Sequence, residues 1–442
     1  MKKTFKTSHK AIFNLMIIVV FAMLVSCQGE DGKTDVNGGT EVSLVQVDSI
    51  MIDLKGDLKI YDYNETTGLF LGGDIGSLGM AMMPPGGPVS FNEIGHVVIQ
   101  KDGKVLHQFK HFDDGPEGHG TGALNSFFIG NDKIGVMGNK GLFVYALDGT
   151  FLKKYKDFNT TMFLGMPEHK VAVTNAEGMM AIAFPRREDD TYDRFDSVYQ
   201  LVEPFHFYNL NESKLNFEGR DPGLVASYTF PEADVYAPGF SMLRATTAPH
   251  VSMSAKRNEV SVLYQEQPVL EQYDMTSGKL LRTVDLAPDH FRAPQQMRVK
   301  VGEPAWYDWI NNGGWYDNAY YRDLVELGDY SLLRYVPALP KREVDALLAS
   351  GGTYKNPEWP SIKRKYFNSY YQLIKDGQKV VPDFNIPVFE PQEGQLFFRS
   401  RTKVHGQIIG GSGIERIYVY ASNDEDIERD YELIRVYKLV IN

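Results

Sequence analysis

A strand–turn–strand pattern recurs along the chain and constrains its fold more than any other feature. Each copy has an apolar strand, a polar turn containing Asp, Gly or Asn, and a second strand. The copies span residues 58–73, 96–109, 142–155, 207–217, 269–286 and 371–384. Glycine supplies the positive φ that tight hairpin turns require. Five of the turns contain one, namely Gly68, Gly103, Gly149, Gly278 and Gly377.

Repeated hairpins of this kind predict a single all-β domain over residues 43–442. The chain is punctuated by 41 Gly and 22 Pro, and 12% of its residues are aromatic, a composition that suits many short strands with tight turns. Four-stranded units repeated in series are typical of a β-propeller. We predict six blades of roughly 65 residues each, and seven blades of roughly 56 are the alternative. Repeated hairpins also occur in other β-proteins.

Two segments carry a resemblance to a known family. Residues 112–155 contain a Gly-Pro-Gly-type loop followed by strands separated by short polar breaks, and they resemble the repeat of NHL-like six-bladed propellers. Residues 315–327 resemble the Tyr-Tyr-Arg strand of a Bacteroidota lipoprotein family, a six-bladed propeller of unknown function. The resemblance extends in outline over residues 43–442, and the other blades depart from the repeat. It implies a fold and a cell-envelope location, but no activity.

The two ends of the domain are expected to close the ring. Residues 43–54 alternate between apolar and polar positions, and residues 431–442 read as a final strand. Pairing between the ends would remove exposed sheet edges. Helix is predicted over residues 340–352, on a connection between blades, with a second short helix over 359–367.

The N-terminus has the pattern of a secretory signal peptide. Residues 1–10 contain four lysines and no acid, and residues 11–25 are apolar apart from Asn14. A transmembrane anchor is the alternative, but spanning a bilayer takes roughly 20 apolar residues. We therefore predict that residues 1–26 are a cleaved export signal.

Cys27 is the only cysteine in 442 residues and ends this signal. Residues 24–27 resemble the lipobox of bacterial lipoproteins. That resemblance implies acylation of the Cys27 thiol and cleavage before it. A stray or buried cysteine is the alternative. Residues 27–42 are polar and glycine-rich, which predicts a flexible lipidated tether, and no second cysteine is available for a disulfide within the chain.

The residues after Cys27 resemble an export signal. Gln28, Gly29, Glu30 and Asp31 are similar to the short acidic signal that directs Bacteroidota lipoproteins to the cell surface. A solvated linker is the alternative, and both can hold together. The resemblance implies a lipid-anchored outer-membrane protein exposed at the cell surface.

Charge narrows the class of partner. The full chain has a formal net charge of −11, and removal of residues 1–26 would take away four lysines and no acid. So acidic a surface disfavours nucleic acids and anionic membrane surfaces as partners.

Residues 303–323 contain three of the four tryptophans and are the leading candidate for a binding loop. Aromatic side chains beside Asp and Asn form platforms for sugars or partner proteins. Core packing between blades is the alternative. The candidate binding residues are Trp306, Tyr307, Trp309, Trp315 and Tyr316.

A metal site is left open by the sequence. Residues 111–119 include His111, Asp113, Asp114, Glu117 and His119, which are side chains that ligate metals. A loop belonging to the propeller repeat also explains them. We expect no cofactor.

No catalytic signature is present. The chain has no Gly-x-Ser-x-Gly, no His-Glu-x-x-His and no phosphate-binding loop, so no catalytic residue is assigned. We predict a non-catalytic binding or scaffold module that recognises a glycan or docks onto an outer-membrane transport or envelope complex. The alternative is a propeller enzyme, a metal-dependent hydrolase or lyase whose axial site is built from several blades and is therefore invisible in sequence.

Overall fold

A computed structural model describes most of the chain. The described residues are 32–34, 42–54, 58–73, 95–111, 115–120, 123–138, 141–155, 172–183, 203–212, 223–231, 249–292, 312, 314–352, 355–366, 369–386, 407–421 and 431–442.

The strands of the first three blades and the two N-terminal strands are numbered in chain order. They are β1 Gly32–Thr34, β2 Val42–Ile52, β3 Lys59–Asn64, β4 Leu69–Gly73, β5 His96–Ile99, β6 Val105–Phe109, β7 Ala123–Ile129, β8 Lys133–Gly138, β9 Gly141–Ala146, β10 Phe151–Tyr155, β11 Ala172–Thr174, β12 Met179–Ala183, β13 Phe205–Asn209 and β14 Leu224–Tyr228.

The remaining elements complete three further blades. They are β15 His250–Ser254, β16 Glu259–Leu263, β17 Val269–Asp274, β18 Leu280–Asp285, a 3₁₀ helix Gly314–Asp317, β19 Tyr320–Leu327, β20 Tyr330–Val336, α1 Lys341–Ser350, α2 Trp359–Tyr366, β21 Tyr370–Lys375, β22 Gln378–Lys379, β23 Phe384–Asn385, β24 Gln407–Gly413, β25 Arg416–Ala421 and β26 Glu432–Ile441.

These strands form six antiparallel sheets, which are the blades of a β-propeller. Blades 1 to 5 are β3–β6, β7–β10, β11–β14, β15–β18 and β19–β22, with β23 also paired to β21, and blade 6 combines β24–β26 with β2 and β1. The first strand of each blade contacts the first strands of its two neighbours, from β3 through β24 and back to β3. These first strands are therefore the inner strands around the axis, and the six-bladed alternative is confirmed over the seven-bladed one.

Blade 6 closes the ring as the sequence predicted. Strand β2, at the start of the domain, pairs along its length with β26, at the C-terminus, from Val42 opposite Ile441 to Ile52 opposite Glu432. The outermost long strand of this blade thus comes from the opposite end of the chain. The hydroxyl of Tyr420 donates to the carbonyl oxygen of Leu58, which ties blade 6 to blade 1.

The hydrophobic core consists of six clusters, one between each pair of neighbouring blades. Middle strands are buried on both faces, and all four side chains of β5 and all five of β12 are inaccessible to solvent. Outer strands such as β18 are mostly exposed. Burial on both faces explains why the middle strands read as continuous apolar runs rather than as alternating ones.

Glycine is required at the outer turns because each turn abuts the preceding blade. At Gly103 the backbone has φ +86°, and a Cβ would lie 1.9 Å from the carbonyl oxygen of Met51. At Gly149 φ is +89°, and a Cβ would lie 2.4 Å from Cβ of Phe109. The turn glycines seen in the sequence therefore serve both the hairpin and the packing between blades.

The two predicted helices are present, at Lys341–Ser350 and Trp359–Tyr366. Their predicted place between blades was wrong, because they lie inside blade 5, between β20 and β21. They bury Val344, Leu347 and Ile362 in a small satellite core. Among the described residues, no helix is long and apolar enough to cross a membrane.

Candidate functional site at the axis of the ring

The inner strands place six short turns on one face of the ring. Each inner strand is joined to the next strand of its blade by two to four residues. Hydrogen bonds between neighbouring turns show that the ends of the inner strands meet on this side, which we call the turn face. Its turns are residues 65–68, 130–132, 175–178, 255–258, 328–329 and 414–415. The opposite side, which carries the connections between blades, is the connection face.

A cavity of about 360 Å³ opens on the turn face between blades 1 to 4. Its volume lies at the lower end of the range for small-molecule sites. Polar side chains dominate its lining, and Tyr63, Phe128, Val173 and Met253 add an apolar part. The polar lining residues are Asp62, Asn64, Glu65, Thr66, Asn131, Thr174, Asn175, Glu177 and Asn258.

Hydrogen bonds fix the turns of blades 1, 2 and 3 against one another. The Oδ2 atom of Asp62 accepts the backbone N–H of Phe128 at 2.9 Å, and Nδ2 of Asn64 donates to the carbonyl oxygen of Gly130 at 2.8 Å. The Thr174 hydroxyl accepts the N–H of Gly130 at 3.1 Å and donates to the carbonyl oxygen of Phe128 at 2.7 Å. These bonds make this side of the cavity preorganised.

Two asparagines continue the network into blade 4. The side-chain oxygen of Asn175 accepts the N–H groups of Glu177 and Met179, which shapes its own turn. Its Nδ2 donates to Oδ1 of Asn258 at 3.1 Å, and Nδ2 of Asn258 donates to the Thr276 hydroxyl at 2.8 Å. Each of these two side-chain amides therefore donates to another protein group.

An ion-pair network joins blades 4 and 5 beside the cavity. The Arg257 guanidinium donates to Glu326 at 2.7 Å, to Glu259 at 3.1 Å and to the carbonyl oxygen of Gly328 at 2.6 Å. The Glu326 side chain is only 2% exposed. On the surface, Lys256 pairs with Asp329 at 2.9 Å. Both cations at this edge of the turn face are thus engaged by carboxylates.

Two carboxylates of the cavity lining differ from those of the ion-pair network. Among the described residues, neither Glu65 nor Glu177 accepts a side-chain hydrogen bond from the protein. Partial burial raises the pKa of Glu65, and the charge of Glu326 raises it further, whereas Arg257 and Lys256 oppose the shift. Glu65 and Glu177 therefore offer carboxylate acceptors to a ligand in the cavity.

The predicted aromatic platform is only partly visible. Trp306, Tyr307 and Trp309 lie outside the described residues, as does the side chain of Trp315. Tyr316 is partly buried, and its ring packs on Trp359 at a centroid distance of 4.8 Å in the satellite core of blade 5. The binding role of this segment stays a prediction.

The metal site that the sequence left open is described only in part. His119 is buried, and its Nε2 lies 3.0 Å from Nε2 of His96, which the sequence had not associated with it. Nε2 of His111 donates to the carbonyl oxygen of Gly149 at 2.8 Å. Asp113 and Asp114 lie outside the described residues. Among the residues that are described, no group of three or more His, Cys, Asp or Glu side chains is placed to hold a metal ion.

The predicted lipidation site, Cys27, and the predicted export signal at residues 28–31 lie outside the described part of the chain. The boundaries of the signal (residues 1–26) and of the tether (27–42) stay predictions. Within the predicted flexible tether, Gly32–Thr34 forms strand β1, which pairs with β2.

Sequence reasoning missed the turn-face cavity altogether. A signal was present, because an asparagine stands at the end of the inner strand or in the turn that follows it in each of the first four blades: Asn64, Asn131, Asn175 and Asn258. These positions are 67, 44 and 83 residues apart in the chain. So irregular a spacing hides the repeat until the inner strands are known.

Comparisons with known proteins support the fold. No family model matches the chain, and no curated protein matches it. A solved structure of a member of the DUF4221 family from Bacteroides vulgatus superposes with a TM-score of 0.54 at 11% identity, covering 90% of this chain and 98% of that one. A Bacteroides fragilis protein gives 0.49 at 10% identity, covering 92% and 98%. The PQQ-bound aldose sugar dehydrogenase of Streptomyces coelicolor gives 0.39 at 9% identity, covering 90% and 98%. At such identities, the first of these comparisons shows that this chain shares the six-bladed propeller architecture of a DUF4221 protein from Bacteroides.

Proposed function

We propose that this protein is an exported, lipid-anchored binding module that takes a small polar ligand in the turn-face cavity. The observation that carries the proposal is the cavity itself, because side chains from four blades converge on it and hydrogen bonds between blades hold their positions. Polar groups that converge on one cavity and are held in fixed positions are a feature of small-molecule sites. Fold alone would not support a function, since propellers host many.

Filling the cavity tests this proposal. Ala176 lines the cavity and is exposed, so Ala176→Trp should block the site without disturbing the core. The matched control is Lys279→Trp, an exposed position on an outer turn of the same face. Thermal unfolding of the purified protein is measured against a panel of sugars, amines, amino acids and organic acids.

Ligands stabilise the folded state that binds them, by about 2.7 kcal/mol at a hundred times Kd. We expect compounds that stabilise the wild type and the Lys279→Trp control to have no effect on Ala176→Trp. Equal stabilisation of all three proteins would place binding elsewhere and contradict the proposal.

The location in the cell is the second part of the proposal. Its support is the basic and apolar leader, the lipobox-like residues before Cys27, and the acidic Gln28, Gly29, Glu30 and Asp31. Together with the NHL-like repeat, these features suggest a Bacteroidota surface lipoprotein. Lipoprotein maturation would attach more than one acyl chain, which anchors a protein far better than a single chain does. From such an anchor, the connection face could also dock onto an outer-membrane transport complex.

Protease treatment of whole cells tests whether residues 28–31 act as a surface-export signal or only as a linker. Glu30→Ala combined with Asp31→Ala should leave the protein lipidated but protected from protease added to whole cells, whereas Cys27→Ala should release it from the membrane. Unchanged digestion of the double variant would show that these two acids are only linker.

An axial enzyme is the second candidate, favoured by one observation. Glu65 lines the cavity, and its pKa is raised, first by burial, which is the direction of shift that suits a general acid. Conversion of any stabilising compound by the wild type, with loss of conversion in Glu65→Gln, would establish this role.

A further inference from the structure

We infer that the turn-face cavity selects cationic ligands, in particular small molecules that carry a primary ammonium group together with hydroxyl groups. This inference rests on the proposed function, because it names the class of ligand for the same cavity. Its basis is the balance of charges and of hydrogen-bonding groups in the lining, taken one group at a time.

The charges of the lining are all of one sign. Asp62, Glu65 and Glu177 contribute carboxylates, and none of the described lining residues is Lys, Arg or His. Lys256 and Arg257 stand next to the cavity, but each is held by a carboxylate, Asp329 and Glu326 respectively. A phosphate or carboxylate ligand would therefore meet net repulsion from the lining, since both neighbouring cations are already paired with carboxylates.

The hydrogen-bonding groups of the lining also favour a cationic ligand. The side-chain amides of Asn64, Asn175 and Asn258 each donate to a protein acceptor. Glu65 and Glu177 accept no side-chain hydrogen bond from the described residues, and an ammonium group offers three donors to match them. A charge-assisted bond of this kind is about twice as strong as a neutral one. Donor-rich cations therefore suit the cavity better than neutral polyols do.

The size of the cavity limits the ligand to about that of a monosaccharide. A volume of about 360 Å³ accommodates a six-membered ring with substituents, and Tyr63 and Phe128 belong to its apolar lining. The hydroxyl groups of such a ligand would meet Thr66 and the side chain of Asn131 at the exposed rim.

Three ring-matched probes test the inference by calorimetry on the purified full-length protein: D-glucosamine, D-glucose and D-glucuronate, which differ in charge on a common ring. We expect glucosamine to bind at least tenfold more tightly than glucose, and glucuronate not to bind. Glu65→Gln with Glu177→Gln should remove that tenfold preference. Glu212→Gln, an exposed carboxylate on an outer turn, should keep it.

Several results would overturn the inference. Glucose or glucuronate binding as tightly as glucosamine would do so, as would a preference for glucosamine that survives in the double variant, or binding by none of the three probes. The proposed function is judged separately, because a neutral or anionic compound that stabilises the wild type but not Ala176→Trp would support the site while refuting its preference for cations.

Discussion

The two faces of the ring are built on different principles. On the turn face, the six turns that leave the inner strands have two to four residues each, and hydrogen bonds join the turns of neighbouring blades. On the connection face, the chain between strands is often far longer, as between β4 and β5, β12 and β13, or β20 and β21. Short, bonded turns hold side chains in fixed positions, which favours selective binding of a small molecule. Long connections favour variety of sequence and larger partners.

The largest expected effect is a difference in the loss of stability between a variant of the turn face and a variant of the connection face. On the turn face, Arg257→Ala would leave the buried Glu326 carboxylate without its partner, and breaking a buried ion pair costs about 3–5 kcal/mol. On the connection face, Arg342 bonds Glu343 and Tyr366 from an exposed position, so Arg342→Ala should leave the unfolding midpoint near that of the wild type. Urea unfolding of both variants measures the difference. Equal losses would show that the two faces do not differ in this way.

Stability should also depend on pH, because a buried histidine, His96, lies at the connection face. Burial, followed by the neighbouring imidazoles of His119 and His111, holds the pKa of His96 well below its ordinary value. The unfolded chain therefore binds a proton that the folded protein does not, so stability is lost as pH falls below about 6.5. The slope from this one histidine is at most about 1.4 kcal/mol per pH unit.

His96→Gln should flatten that slope between pH 7.5 and pH 5. The remaining slope is expected to include His206, whose pKa is also lowered, mainly by burial. His107→Gln, on the outer strand β6, is the control and should keep the wild-type slope. A slope that is identical in wild type and His96→Gln would show that the imidazole pair does not contribute to acid sensitivity.

The fold was predictable from sequence because its repeat is local. Turn glycines such as Gly103 and Gly149 mark hairpins whatever the rest of the chain does, and the alternating ends at residues 43–54 and 431–442 predicted the closure that β2 and β26 make. The place of the helices was harder to predict, since nothing local distinguishes a connection within a blade from one between blades.

The cavity could not be predicted in the same way. Asn64 and Asn131 are 67 residues apart and become neighbours only when two inner strands are set side by side. Glu65 looks like any hairpin carboxylate, and its environment comes from Glu326 and Arg257, more than 190 residues further along the chain. Sites on a propeller axis depend on contacts between residues that are far apart in the chain, and local sequence patterns do not reveal such contacts.

The smallest effect on stability is expected from the aromatic segment. It lies in the connection from β18 to β19, whose ends are at the connection face. We expect Trp306→Ala with Trp309→Ala to leave unfolding unchanged while reducing capture of an envelope partner or glycan. Tyr431→Ala, an exposed aromatic on the same face, is the control. Affinity purification from native membranes measures capture, and unchanged partners and glycans in the double variant would remove the segment as a binding platform.

Hydrogen–deuterium exchange with and without the most stabilising compound of the ligand panel tests the central claim directly. If the ligand binds in the turn-face cavity, amide exchange should slow most in residues 65–68, 130–132 and 175–178, with little change in residues 303–323. Slowing confined to residues 303–323, with no change in those three turns, would contradict the account.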